Sequence, residues 1–347
     1  MLPDQFYMYR ALQLAKIGLA NAMPNPSVGA VIVYKDTIIG EGYTSSFGGS
    51  HAEVNAINAV KNQELLKEST LYVSLEPCSH FGKTPPCANL IVEKKIKKVV
   101  IGCVDPFAKV SGKGIQILKD NGIEVITGVL EKECQESHKR FFTFHLQKRP
   151  YIILKWAQSA DGFIAPISKN ETKPVWLSNV YSRQLTHKWR SEEMAILVGK
   201  QTVLDDNPSL TTRDWKGKNP VRLFIDARNK LDNSFQILNN ESKTYRFTKN
   251  KKCENNVIIP FENTIQEICD FCYQNNLQSI IIEGGLQTLQ SFIDSGIWDE
   301  ARVFETDIQL KKGISAPNRI HFTKTNQIKI EQDILHFFEN NLNGRYL

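Results

Sequence analysis

His51, Glu53, Cys78 and Cys87 are the residues of this 347-residue chain whose types and spacing most directly permit chemistry. One imidazole and two thiolates suit Zn2+. A zinc ion with three protein ligands keeps a fourth coordination position for water and lowers that water's pKa towards neutrality. A carboxylate beside it that is not a ligand can carry the water's proton to a ring nitrogen and then to a leaving amine, which amounts to hydrolytic deamination of an aminopyrimidine. Taken singly, a His-x-Glu triplet is an ordinary helix start and a Pro-Cys pair an ordinary turn, so the combination carries the reading. The second thiol comes nine residues after the first, wider than the Cys-x-x-Cys of the generic deaminase signature.

These residues need a strand end and helix starts to converge. His51 opens the small-residue run Ala52-Glu53-Val54-Asn55-Ala56-Ile57, which has helical spacing. Leu71–Leu75 reads as a buried strand closed by Glu76-Pro77-Cys78. Around them, periodicity predicts a helix from about Gln5 to Ala20, strands Val28–Tyr34 and Thr37–Tyr43, helix Ala88–Glu93, strand Val99–Val104, helix Ile115–Asn121, strand Glu124–Thr127 and one helix from Glu131 to Gln147. This alternation predicts a mixed sheet with helices on both faces.

Arg149-Pro150 marks a boundary, because proline disfavours helix in the residue before it. Two domains, 1–148 and 149–347, follow, as expected where one core seldom exceeds ~250–300 residues. The second part again alternates. Strands are predicted at Tyr151–Ala157, Ala195–Val198, Val221–Ile225, Thr244–Phe247, Val257–Ile259 and Ser279–Ile282. Helices are predicted at Val180–Trp189, Gln201–Leu204, Thr264–Asn275 and Leu286–Ser295, with Leu231–Glu241 as a loop. No complete Gly-x-Gly-x-x-Gly follows a strand, and Gly112-Lys113-Gly114 is too short for one. The better phosphate site is Glu283-Gly284-Gly285, where a helix start offers backbone N–H groups, although a plain strand-to-helix turn has the same sequence. Lys155, Arg190 and Arg213 are candidate partners for a phosphate monoester.

Composition narrows the classes. Apolar content of 41% and charged content of 23% are those of a globular protein. The net charge of +6 is scattered, which suits a phosphorylated small molecule better than a nucleic-acid backbone. Asp4, Arg10 and Lys16 interrupt the N-terminal apolar residues, so no signal peptide is expected, and no run has the ~18–20 apolar residues of a membrane span. Seven cysteines form no disulfide framework. Thiolate ligands suit a reducing cytoplasm, where the protein is expected.

With these segments in view, the chain resembles the bifunctional deaminase/reductase family of riboflavin biosynthesis over nearly its whole length. The residues that carry the resemblance are Pro24 to Val33, His51-Ala52-Glu53, and the run Leu75-Glu76-Pro77-Cys78-Ser79-His80-Phe81-Gly82-Lys83-Thr84-Pro85-Pro86-Cys87. In the second half they are Ser159-Ala160-Asp161-Gly162, Trp176, Gly199–Leu210, Arg213 and Glu283-Gly284-Gly285. The resemblance implies an α/β chain with an N-terminal cytidine-deaminase-like α/β/α domain and a C-terminal dihydrofolate-reductase-like α/β domain. It implies zinc held by His51, Cys78 and Cys87, with Glu53 as the proton shuttle and Asn25, His80 and Lys83 on the pyrimidine or its ribose phosphate. It also implies NADPH on Ala157, Trp176, Thr202, Asp206, Gly285, Leu286, Gln287 and Thr288, and substrate on Lys155, Arg190, Leu210, Arg213 and Glu283.

The chain departs from the family where Thr44 replaces a histidine, at Asp105-Pro106-Phe107-Ala108, at Thr172 to Val175 before Trp176, and at Thr306-Asp307-Ile308. The partner expected is a small pyrimidine ribotide, with neither nucleic acid nor membrane, in a homo-oligomer. Two other readings are a deaminase whose second domain no longer reduces, and a nucleic-acid-editing deaminase. The latter needs a basic, aromatic surface that the sequence does not show.

Overall fold

In a computed structural model the protein divides into two compact units, Met1–Lys148 and Arg149–Leu347. The structure describes residues 2–79, 85–107, 111–250 and 254–342. The predicted contacts at His80 and Lys83, and the departure at Ala108, lie outside them.

The first unit contains α1 (Pro3–Ala22), β1 (Gly29–Tyr34), β2 (Thr37–Tyr43), α2 (Ala52–Ala59), β3 (Thr70–Leu75), α3 (Cys87–Glu93), β4 (Lys98–Cys103), α4 (Lys113–Asp120), β5 (Glu124–Thr127), α5 (Glu131–Ser137) and α6 (Lys139–Gln147). Its sheet runs β2-β1-β3-β4-β5. β1 is antiparallel to both β2 and β3, whereas β3, β4 and β5 are parallel. That pattern brings the end of β2, the start of β1 and the carboxyl ends of β3 and β4 to one edge. Gly29, for example, pairs with Tyr43 and donates its N–H to Ser74 Oγ at 3.1 Å. The single helix expected over Glu131–Gln147 is two, because the chain turns at His138 (φ −103°, ψ 12°) to bury that ring 3.2 Å from Ser74 Oγ.

The second unit contains β6 (Tyr151–Gln158), β7 (Phe163–Pro166), α7 (Val180–Glu192), β8 (Ala195–Gly199), α8 (Lys200–Asp206), β9 (Val221–Ile225), β10 (Thr244–Thr248), β11 (Asn256–Ile258), α9 (Thr264–Gln274), β12 (Ser279–Gly284), α10 (Leu286–Ser295), β13 (Glu300–Glu305), β14 (Gly313–Ser315), β15 (Phe322–Ile330) and β16 (Asp333–Asn340). The main sheet runs β11-β10-β9-β8-β12-β6-β13-β16-β15. It is parallel from β11 to β13 and antiparallel at β16 and β15. Alternate residues of β6 enter opposite cores. Ile152, Leu154 and Trp156 pack with Ile268, Leu289 and Phe292, whereas Tyr151 and Ile153 pack with Trp189. Burial on both faces explains the near-continuous apolar runs of β6, β8 and β12. β7, β13, β14, β15 and β16 have no counterpart in the periodicity reading and add to it.

Candidate active site

His51 is the residue before the first turn of α2, and Gly40 and Gly42 of β2 decide where that helix lies. A Cβ on Gly42 would stand 2.4 Å from Ala52 O, and one on Gly40 2.4 Å from Ala56 O. Only glycine lets the helix backbone rest directly on the strand, which delivers His51 and Glu53 to the sheet edge.

Cys78 leaves the end of β3 and Cys87 opens α3. The His51 Nδ1 atom lies 3.6 Å from Cys78 Sγ and 3.3 Å from Cys87 Sγ, and the Cys87 backbone N–H donates to Cys78 Sγ at 3.3 Å. The three ligand atoms lie within 4.8 Å of one another, the one such metal-competent trio among the described residues. Contact with Cys87, then with His51, brings the Cys78 thiol down to about 4, while the same contact and burial push Cys87 upward. A divalent cation in the trio favours both thiolates. Glu53 is 4% exposed, and burial, reinforced by Cys78, pushes its carboxyl up to about 7. A buried carboxyl with affinity for a proton near neutral pH is what a proton shuttle requires.

Sequence reasoning assigned no role to Glu76, which is buried two residues before Cys78. Its Oε2 accepts N–H groups from Asp105 (3.2 Å) and Gly112 (3.0 Å), and its Oε1 accepts those of Gly114 (2.9 Å) and Ile115 (3.3 Å). One carboxylate thus ties the end of β3 to the loop after β4 and to the start of α4. Gly114 permits this approach, since a Cβ there would meet Pro77 O at 2.0 Å. The signal available in sequence was an acid at a strand end held by proline. Asn25 precedes β1 at the same sheet edge, with its N–H on Ala22 O at 3.0 Å. Thr44, at the family's histidine position, is buried and bonds Val28 N at 2.9 Å.

In the second unit every predicted cofactor and substrate residue lines one cleft of about 1490 Å3. The cleft lies beyond the carboxyl ends of the parallel strands, where open α/β sheets bind ligands. At one end Arg190 donates to both oxygens of Glu283, at 2.9 and 2.6 Å. Burial alone would raise the Glu283 carboxyl, but the charges of Arg190 and Lys155 and the hydrogen bonds from Arg190 hold it at about 2. Burial lowers the Lys155 ammonium against the attraction of Glu283. Three cations, Lys155, Arg190 and Arg213, therefore surround one carboxylate, leaving excess positive charge for a phosphate.

His187, which sequence reasoning did not single out, sits among them. Its Nδ1 accepts the Arg213 N–H at 3.0 Å, and burial beside Arg190 and Arg213 lowers it to about 4, so it is neutral. In the middle of the cleft Gly285 precedes α10. A Cβ there would stand 3.2 Å from Thr202 Oγ1, so this glycine keeps open a cradle beside two helix starts. Trp176 is 53% exposed at the rim, with Arg183 4.9 Å from its ring centroid, and Asp206 pairs with Lys169.

Comparison with known proteins follows this division. The RibD C-terminal domain family matches residues 150–307, and the cytidine and deoxycytidylate deaminase zinc-binding region family matches residues 1–103. A riboflavin biosynthesis protein RibD from Aquifex aeolicus is 40% identical over 322 residues, covering 90% of this chain and 89% of that protein. The Escherichia coli protein of the same name is 32% identical, covering 87% of each. Among solved structures, a diaminohydroxyphosphoribosylaminopyrimidine deaminase/5-amino-6-(5-phosphoribosylamino)uracil reductase from Thermotoga maritima superposes with a TM-score of 0.89 at 34% identity, covering 97% of this chain and 99% of that one. An Acinetobacter baumannii RibD structure also gives 0.89, at 32% identity, covering 97% and 98%.

Proposed function

The chain belongs to the bifunctional deaminase/reductase family of riboflavin biosynthesis, and on that premise we propose how its residues divide the work. Residues 1–148 deaminate 2,5-diamino-6-(5-phosphoribosylamino)pyrimidin-4-one, and residues 149–347 then reduce its ribosyl chain to ribityl.

In the first unit His51, Cys78 and Cys87 hold zinc, which supplies the Lewis acidity that makes water nucleophilic near neutral pH. Glu53 carries one proton of the water to the pyrimidine ring nitrogen and then the second, from the hydroxyl of the adduct, to the departing amine, so that the carbonyl forms, water is consumed and ammonia is released. Glu76 fixes the loop that carries Cys78, and Asn25 holds the pyrimidine ribotide, with His80 and Lys83 assigned to it by family resemblance. The trio of ligand atoms within 4.8 Å, with Glu53 buried in the adjoining helix turn, carries this reading.

In the second unit NADPH supplies hydride for C1′ of the ribosyl chain. Ala157, Trp176, Thr202, Asp206 and the run Gly285, Leu286, Gln287 and Thr288 hold that cofactor. Lys155, Arg190, Leu210 and Arg213 hold the ribotide, with Glu283 orienting Arg190. The support is that all of them line one cleft with net positive charge.

The reading extends to a cytoplasmic homo-oligomer acting without nucleic acid or membrane. The described cysteines are unpaired, no helix among the described residues is long and apolar enough to cross a membrane, and Phe6, Tyr9 and Ile17 leave an exposed apolar row on α1. The deciding assay supplies the diaminopyrimidine ribotide with and without NADPH and reads ammonia and nicotinamide absorbance together. Wild type gives both signals. Glu53→Gln keeps zinc and loses ammonia release by ~10²–10⁴-fold, and Cys78→Ser loses zinc. Normal deamination by Glu53→Gln, or full zinc in Cys78→Ser, overturns the assignment.

A further inference from the structure

Ser209 to Arg213 lies just after α8 and brings Arg213 to the cationic end of the second unit's cleft. Leu210 within it takes a left-handed φ of 54°, a conformation that a residue with a side chain keeps where its surroundings impose it. Three side chains from other elements hold this segment by its backbone. Arg222 of β9 donates to Ser209 O at 3.1 Å, Arg190 of α7 donates to Thr211 O at 3.2 Å, and the Arg213 N–H donates to His187 Nδ1 at 3.0 Å. His187 and Arg190 are three residues apart and so share one face of α7.

The three tethers are not alike. Arg190 and Arg222 have other acceptors, Glu283 for the one and Thr244 and Asn239 for the other. His187 is 3% exposed, its Nδ1 is taken up by the Arg213 N–H, and its Nε2 faces Asp214 Oδ2 at 3.4 Å. With both ring nitrogens engaged, it has no polar atom left for a ribotide, and what it governs is the residue it holds. The charge at this end explains why the tether is an imidazole. Arg190 repels both Lys155 and Arg213, and all three surround the single carboxylate of Glu283. The exposed Arg213 side chain therefore gains by swinging into solvent unless its backbone is tied. A lysine or arginine tether would add to the repulsion, and a carboxylate would cancel the attraction for phosphate. A neutral imidazole accepts the backbone N–H and leaves the charge of the cleft as it was.

We propose that His187 is a positioning residue of the reductase, whose Nδ1 holds the Arg213 backbone so that the guanidinium meets the ribotide's phosphate. The inference rests on the reductase reading above. It is tested on the full chain by steady-state reduction of the deaminated ribotide, with NADPH binding measured on each variant to establish that the cleft is intact. His187→Leu fills the space and removes the acceptor. The KM for the ribotide then rises ~10-fold, the worth of one hydrogen bond, while kcat and the KM for NADPH stay within about 2-fold. His187→Asn returns an acceptor oxygen near the place of Nδ1 and restores most of the affinity. In an Arg213→Ala background no guanidinium remains to be placed, and His187→Leu adds less than about 2-fold. A wild-type KM in His187→Leu, no recovery in His187→Asn, or the full ~10-fold rise on top of Arg213→Ala overturns the inference. Where His187→Leu does not bind NADPH, His187→Asn decides alone: a ribotide KM within about 3-fold of wild type supports the inference and a ~10-fold rise overturns it. An unchanged KM in Arg213→Ala removes the substrate role of Arg213 and the inference with it. Wild type that oxidises no NADPH in the presence of the deaminated ribotide sinks the reductase reading itself.

Discussion

Replacing Glu76 by glutamine tests how the first unit holds its metal loop. Each Glu76 oxygen accepts two backbone N–H groups. Glutamine keeps one oxygen and turns an NH2 group towards the other pair, so two buried N–H groups lose their acceptor and face a donor. Hydrogen bonds to a charged group are worth ~1.5–3 kcal/mol each, so losing two costs about 3–6 kcal/mol, a large share of the ~5–15 kcal/mol that stabilises a typical domain. At ~2–4 °C per kcal/mol for a unit of this size, the midpoint of thermal inactivation falls on the order of 10 °C. The assay heats the full-length protein, then measures residual ammonia release and NADPH binding in the same samples. Deamination is lost at the lower temperature and cofactor binding is not. A deamination midpoint within about 2 °C of wild type, or equal shifts in both readouts, refutes the reasoning.

Two further outcomes are expected. Gly285→Val adds a side chain whose Cβ stands 3.2 Å from Thr202 Oγ1, so NADPH binding weakens at least ~10-fold while zinc content and ammonia release persist; normal reduction by this variant contradicts the cradle. His138 is fully buried, and burial, opposed by its hydrogen bond to Ser74, holds it at about 4 against an ordinary 6.5. The unfolded chain therefore binds the extra proton between those values, and stability falls as pH drops from about 6.5 towards 4, by roughly 1.4 kcal/mol per pH unit. Urea unfolding should show wild type losing more stability than His138→Gln on going from pH 7 to pH 5, and parallel losses would count against this.

The candidate metal trio and the cations gathered in the second unit's cleft were legible because their chemistry depends on residue type, and type is what a sequence states. The buried parallel strands were legible because both faces of β6, β8 and β12 are apolar. β13 was not, because Glu300, Arg302 and Glu305 break its apolar residues into runs too short to read. Glu300 and Arg302 are buried because they pair with each other at 2.6 Å and with groups remote in sequence: Glu193 lies 3.8 Å from Arg302, and Tyr151 OH donates to Glu300 at 3.0 Å. β15 was invisible for the opposite reason, since Thr323 to Lys329 are exposed on both faces and leave no alternation to read. Nothing local breaks the chain at His138 either; a hydrogen bond to a strand some sixty residues earlier does. Glu76 showed in sequence only as an acid at a strand end before proline, because the four backbone donors from distant turns that give it its role carry no side-chain signature.

The place of β6 in its sheet bears on how the protein is made. β6 is the first strand of the second unit, yet its hydrogen-bonding neighbours are β12 and β13. Roughly 120 residues separate its end from the start of β12. On a ribosome moving at ~5–20 residues per second, Tyr151–Gln158 waits on the order of ten seconds without either partner. In contrast, β1, β2 and β3 of the first unit follow one another directly in the chain and pair as soon as they emerge. The two halves of the enzyme thus leave synthesis with unequal exposure of sticky backbone. The reductase half, whose middle strand comes first, keeps an unpaired strand waiting for the longer time.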